Sequence, residues 1–100
     1  MCGFCGFSDT QEQKEEILHN MMQTIVHRGP DSEGMYIDDE IALGFRRLSI
    51  IGLEDGNQPI YNENKNLVLV FNGEIYNFES LRKELIDAGH EFYTHTDSEV

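Results

Sequence analysis

Residues 1–7 read MCGFCGF, with cysteines at positions 2 and 5 and the first of them directly after Met1. Three chemistries fit a pair placed this way. The first is a redox dithiol. A working C-x-x-C, however, opens a helix after a strand, where the dipole lowers a thiol pKa. Here the pair lies inside an apolar run at the chain start. The second is half of a zinc site, completed by His90 and His95, whose H-x4-H spacing suits a metal. Most of the chain separates those histidines from the cysteines, far beyond the usual finger spacing. The third makes Cys2 a lone nucleophile and Cys5 a small buried hydrophobe. Removal of Met1 would leave Cys2 with an α-amine of pKa about 7.7–8.0, partly neutral at physiological pH. That amine can take the thiol proton and later deliver it to a leaving amine, with no histidine required. On these residues alone all three readings stay open.

One hundred residues make one small domain or part of one. Nineteen acidic residues against seven basic ones give a net charge of -12. Such a surface repels a duplex or an anionic membrane, so neither nucleic acid nor membrane is an expected partner. Two cysteines three apart build no disulfide framework and suit a reducing cytosol, which makes the cytoplasm the expected compartment. No apolar stretch reaches membrane-span length, and no signal-peptide pattern is read at the start.

The period of the apolar residues organises the rest. CGFCGFS is compatible with a buried strand. TQEQ has the form of a capping box, with Thr10 as N-cap and Gln13 reaching back. Leu18, Met21, Met22 and Ile25 then recur at helical spacing, predicting a helix over roughly 11–26. HRGPD breaks it. GMYI and IALGFRRLSI predict a hairpin joined across DDE, and DGNQP is a turn. NLVLVF predicts a strand buried on both faces. Asn77 caps a helix through about Ala88, with Leu81 and Leu85 on one side and Gly89 as its stop. HEFYTHT predicts a last strand, and DSEV the start of a further helix.

The ordered set MCGFCGF, HRGPD, RRLSIIG, NQP, FNGEIYNF and TDSEV closely resembles the N-terminal glutaminase domain of glutamine-dependent asparagine synthetases. Those domains are class II glutamine amidotransferases, of the N-terminal nucleophile hydrolase type. The opening and HRG are shared with sister amidotransferases, whereas HRGPD, RLSI and NGEIYN together point to the asparagine branch. The resemblance implies an α+β fold of αββα type, two stacked antiparallel sheets between helix layers. It also implies that residues 1–100 are the N-terminal part of such a domain, truncated at the C-terminal end and lacking the synthetase domain. Alone, they are expected to be inactive.

What the resemblance implies about the site is specific to residues. Cys2 would attack the side-chain amide of L-glutamine. Asn72, through its side-chain amide, and Gly73, through its backbone N–H, would form the oxyanion hole. On the residues alone, Asn72-Gly73 reads as a tight hairpin turn. Arg47 would bind the α-carboxylate and Asp97 the α-ammonium, with Glu74 also contacting the amino-acid end. Leu48, Ser49, Ile50 and Ile51 would line the same pocket. The plain reading of Asp97 is a helix N-cap, and that of Arg46 a solvated salt bridge. His27, Arg28 and Asp31 read as scaffold, and His90 and His95 carry no role. No metal and no cofactor are expected in these residues, ATP and magnesium belonging to the absent synthetase domain. The expected partners are glutamine and that domain, and homodimerisation is compatible with the family. Two alternatives stand beside this reading: an amidotransferase with a different ammonia acceptor, and a small zinc or redox module built on Cys2 and Cys5.

Overall fold

The computed structural model describes residues 2–48 and 57–100. In chain order they form β1 (Gly3–Ser8), α1 (Lys14–Gln23), β2 (Ser32–Ile37), β3 (Ile41–Arg47), β4 (Ile60–Tyr61), β5 (Val68–Leu69) and α2 (Phe78–Asp87). A short 3-10 turn, Asp97–Glu99, follows. All strand pairs are antiparallel, and helices and strands are mixed in an α+β arrangement.

β3 is the central strand of a three-stranded sheet in the order β1-β3-β2. Cys5 pairs with Gly44 and Phe7 with Ala42; on the other side of β3, Met35 and Ile37 pair with the same two residues. Side chains alternate along a strand, so these residues share one face. Helix α1 covers it. Leu18, Met22 and Ala42 are fully buried there, with Cys5, Phe7 and Ile37 packed around them. Gly44 matters for the approach: a Cβ on it would stand 2.5 Å from the Met22 sulfur. The helix therefore settles into the space this glycine leaves.

The opposite face meets the chain that enters β4. A Cβ on Gly34 would stand 1.9 Å from the Gln58 carbonyl oxygen, so that backbone lies directly on β2. Tyr36 and Tyr61 add an edge-to-face contact at 6.2 Å between ring centroids. β4 pairs with β5, Ile60 opposite Leu69 and Tyr61 opposite Val68. Among the described residues no helix is long and apolar enough to cross a membrane.

The hairpin forms as its sequence predicts. Asp38 closes it by accepting the N–H groups of Glu40 and Ile41 at 2.8 and 2.7 Å. Gly89 ends α2 with φ +98°, and His90 N–H to Leu85 O and Gly89 N–H to Ile86 O complete a Schellman motif. Four expectations are corrected. The capping box at Thr10 and Gln13 is absent, because the Asp9 carboxylate takes the N–H groups of Thr10 and Gln11 first. The helix is accordingly shorter than 11–26, and residues 24–28 continue as turns. NLVLVF is not a strand buried on both faces. Only Val68 and Leu69 pair, and Leu67 stays 69% exposed. HEFYTHT is not a strand at all. The Glu99 carboxylate takes the N–H groups of Tyr93 and Thr94, and Arg82 takes the Thr94 carbonyl, so side chains hold what a ladder would have used.

The two helices differ in what they bury. Three α1 residues are buried and none of α2 is. Leu18→Ala should therefore destabilise the intact protein by about 2–5 kcal/mol. Ile86→Ala, half exposed on α2, should stay within about 0.5 kcal/mol. Urea midpoints at unchanged slope measure both.

Candidate active site

Cys2 lies at the entry to β1, beside the end of β3. Leu48 N–H faces its Sγ at 3.5 Å, and the Leu48 carbonyl oxygen lies 4.0 Å from the same sulfur. Two side chains converge on the Cys2 carbonyl oxygen. Arg28 donates from Nε at 3.1 Å and Asn72 from Nδ2 at 3.0 Å. Residues 2, 28, 48 and 72 are thus assembled from four separate parts of the sequence. Cys5 turns instead to the α1 face, and burial pushes its thiol up from its ordinary value. Neither cysteine is in a disulfide. His90 pairs with Glu63. Among the described residues no group of three or more His, Cys, Asp or Glu is arranged to hold a metal ion.

The HRGPD turn is what ties Cys2 down. Its Asp31 N–H bonds to the Arg47 carbonyl at 3.1 Å. Gly29 is buried against the backbone of Arg46 and Arg47. Arg46 reaches back with Nε to the Gly29 carbonyl at 2.8 Å and pairs with Glu33 at 2.6 Å. The reading of Arg46 as a solvated salt bridge is corrected here: the residue is only 8% exposed and staples the turn to the sheet. Its neighbour Arg47 points to the other face of β3, equally buried, with Nη1 at 3.2 Å from Asn57 Oδ1.

The NGE stretch runs over an irregular, exposed segment between β5 and α2. It is held from both ends. Upstream, the Gln58 side chain binds both backbone polar groups of Phe71, at 2.6 and 2.9 Å. Downstream, Asp97 Oδ2 accepts the Ile75 N–H at 2.7 Å. Asp97 therefore does not cap its own helical turn, whose N-cap position is Thr96. Gly73, Glu74 and Asp97 share the lining of an open concavity of about 510 Å³ with Tyr76 and His95. Of the residues the sequence singled out, Cys2, Leu48 and Asn72 come together directly. Gly73, Glu74 and Asp97 form a second group, joined to the first through the Asn72–Gly73 peptide. Ser49, Ile50 and Ile51 lie outside the described residues. Gln58 and Asn57 lie in the NQP motif but were given no role of their own. A glutamine before a proline in a turn carries no sign of the backbone it will meet.

Comparison with known proteins adds an independent line. The family model described as a glutamine amidotransferase domain matches residues 1–100. The chain is 48% identical over 106 residues to a Bacillus subtilis protein named asparagine synthetase [glutamine-hydrolyzing] 1. It is 40% identical over 103 residues to a probable asparagine synthetase of Dictyostelium discoideum, and 41% identical over 103 residues to an Arabidopsis thaliana asparagine synthetase. The alignments take in 100%, 99% and 100% of this chain but only 17%, 18% and 17% of those relatives.

The contact between Gly29 and β3 generates a prediction. A Cβ on Gly29 would stand 2.3 Å from the Arg46 carbonyl carbon, and backbone there has nowhere to go. Gly29→Ala should cost about 1–3 kcal/mol or more. Gly3→Ala, which meets only the flexible Arg28 side chain at 3.1 Å, should cost less. Thermal or urea unfolding of the two variants checks the order.

Proposed function

The chain belongs to the glutamine amidotransferase domain family, and on that footing we propose that it forms the glutamine-hydrolysing half of an asparagine synthetase. The carrying observation is the gathering of Cys2, Asn72 and Leu48 at one point. Amide hydrolysis needs a nucleophile, a proton carrier and oxyanion donors, and this reading gives those roles to the Cys2 thiol, its α-amine, and Asn72 with Gly73.

The Cys2 thiol attacks the carbonyl carbon of the glutamine side-chain amide, and its proton passes to the Cys2 α-amine once Met1 is removed. The tetrahedral oxyanion is met by Asn72 Nδ2 and the Gly73 N–H. An amide nitrogen carries two hydrogens, and Asn72 spends one on the Cys2 carbonyl, which leaves one for the substrate. The α-amine returns the proton to the leaving nitrogen as the C–N bond breaks, and ammonia departs. Water then cleaves the thioester, giving glutamate and restoring the thiol. Net, glutamine and water become glutamate and ammonia.

Recognition of the free amino acid falls to charge. Arg47 offers a planar guanidinium fork to the α-carboxylate. Asp97 faces the concavity it shares with Glu74 and offers a carboxylate to the α-ammonium. Leu48, with Ser49, Ile50 and Ile51, completes the lining in this reading.

The same reading extends the antiparallel sheets to the αββα arrangement of N-terminal nucleophile hydrolases. It sends ammonia to a synthetase domain outside residues 1–100, where ATP and magnesium would serve the amidation of aspartate. It also places the activity in the cytoplasm, and homodimerisation is compatible with it. An amidotransferase with another ammonia acceptor would share this front end, and the product formed by the intact protein distinguishes the two. The zinc or redox alternative is not favoured by the placement of Cys5 in the α1 core, away from the Cys2 contacts.

In the intact protein, Cys2→Ala should abolish glutamine-dependent asparagine formation and spare the ammonia-dependent reaction. An N-terminal extension that blocks Met1 removal should do the same. Undiminished glutamine use by either form refutes the assignment.

Asp97→Asn separates binding from scaffolding. Asparagine can still accept the Ile75 N–H, yet it lacks the charge for an ammonium. The glutamine KM should rise roughly 10–100-fold, the range for a charged hydrogen bond, with little change in melting temperature. A KM within twofold of the parent would leave Asp97 a purely structural tie.

A further inference from the structure

We infer that Gln58 is a positioning residue for the oxyanion hole, acting through Phe71 on Asn72 and Gly73; this deepens the glutaminase reading above and rests on it. The Gln58 side-chain amide makes both of its bonds to one residue. Its Oε1 accepts the Phe71 N–H at 2.6 Å, and its Nε2 donates to the Phe71 carbonyl at 2.9 Å. A primary amide presents an acceptor and a donor side by side, as a neighbouring strand does. β5 ends at Leu69, so Phe71 lies past the last ladder pair. Among the described residues no strand pairs with Phe71, and the glutamine amide takes that place.

Gln58 is itself held. Its backbone carbonyl rests on Gly34 of β2, where no side chain would fit, and β4 begins two residues later at Ile60. From Phe71 the constraint reaches both donors. Asn72 is the next residue, with its Nδ2 on the Cys2 carbonyl at 3.0 Å. The Phe71 ring lies under Gly73, with Cζ 2.8 Å from where a Cβ would stand. Asn72 and Gly73 are exposed and belong to no helix or strand, so they have no regular structure of their own to fix them. An oxyanion donor must be held to about 0.5 Å. The path from sheet to donors runs Gly34, Gln58, Phe71, then Asn72 and Gly73.

The test uses the intact protein and reads glutamine-dependent and ammonia-dependent synthesis side by side. Two variants remove the amide pairing in different ways. Gln58→Met keeps the length and loses both bonds. Gln58→Glu keeps the acceptor for the Phe71 N–H but sets an oxygen against the Phe71 carbonyl. Both should lower glutamine-dependent kcat by roughly 10–100-fold, less than the 10²–10³-fold for outright loss of one donor. The glutamine KM should stay within about twofold, because the donors act on charge that develops only in the transition state. Ammonia-dependent synthesis should be unchanged, which shows that the synthetase half is intact, while the unchanged glutamine KM shows that the glutamine pocket still folds. Adding Gln58→Met to Asn72→Ala should cost less than Gln58→Met costs alone, because one of the two donors it positions is then already gone. The inference is overturned if either Gln58 variant keeps its kcat while Asn72→Ala loses it, or if the two losses multiply. Full glutamine use by Asn72→Ala would instead overturn the oxyanion assignment, and this inference with it.

Discussion

Gly29 lies so close to the end of β3 that its α-hydrogen faces the Arg46–Arg47 peptide with no room for a methyl group. Two hydrogen bonds seal the approach, Arg46 Nε to the Gly29 carbonyl and Asp31 N–H to the Arg47 carbonyl. The consequences spread in both directions along the chain. Arg28, one residue earlier, is delivered to the Cys2 carbonyl. Arg46 and Arg47 are locked with their side chains on opposite faces of the sheet. Leu48 is left against the Cys2 sulfur. Loosening this contact would release Cys2 and its surroundings together.

Charge is distributed against the average. The chain carries -12 overall, yet three of its seven basic residues, Arg28, Arg46 and Arg47, gather where β3 ends. Two of them are buried, a costly placement for a cation unless it is bonded. Arg46 meets that cost with Glu33 and a backbone carbonyl, which makes it structural. Arg47, on the other face, meets Asn57 and is the one that the proposed reading assigns to the substrate carboxylate. The acidic exterior and this cationic interior answer different needs: the first keeps the protein dispersed, the second supports the proposed grip on a carboxylate.

Several elements were readable because their cause is local. The β2–β3 hairpin follows from alternating apolar residues around an aspartate that can bind its own turn. The end of α2 follows from a glycine that alone adopts φ +98° easily. The misreadings share a different cause. Asp9, Glu99 and Arg82 took backbone groups that Thr10–Gln13 and the 90–96 segment were expected to bond otherwise. In each case a charged side chain, which binds more strongly than a neutral one, decided the competition. For NLVLVF the apolar pattern was present but its covering partners were not among the described residues, so only two residues pair.

At the site, the sequence by itself determined which residue types are available and in what order: a cysteine at position 2, an arginine on each face of β3, and an amide followed by a glycine at 72–73. It also placed the chain in its family, because six short motifs in one order carry that information without any fold. What only the tertiary structure decided is who touches whom. Cys2 and Asn72 are 70 positions apart, and Gln58 and Phe71 are joined by an amide that mimics a strand. Contacts of that kind depend on where the sheet, the 27–31 turn and the loop after β5 come to rest against one another. Local propensity reports only a residue's neighbours along the chain, so these pairings become visible once the backbone is folded.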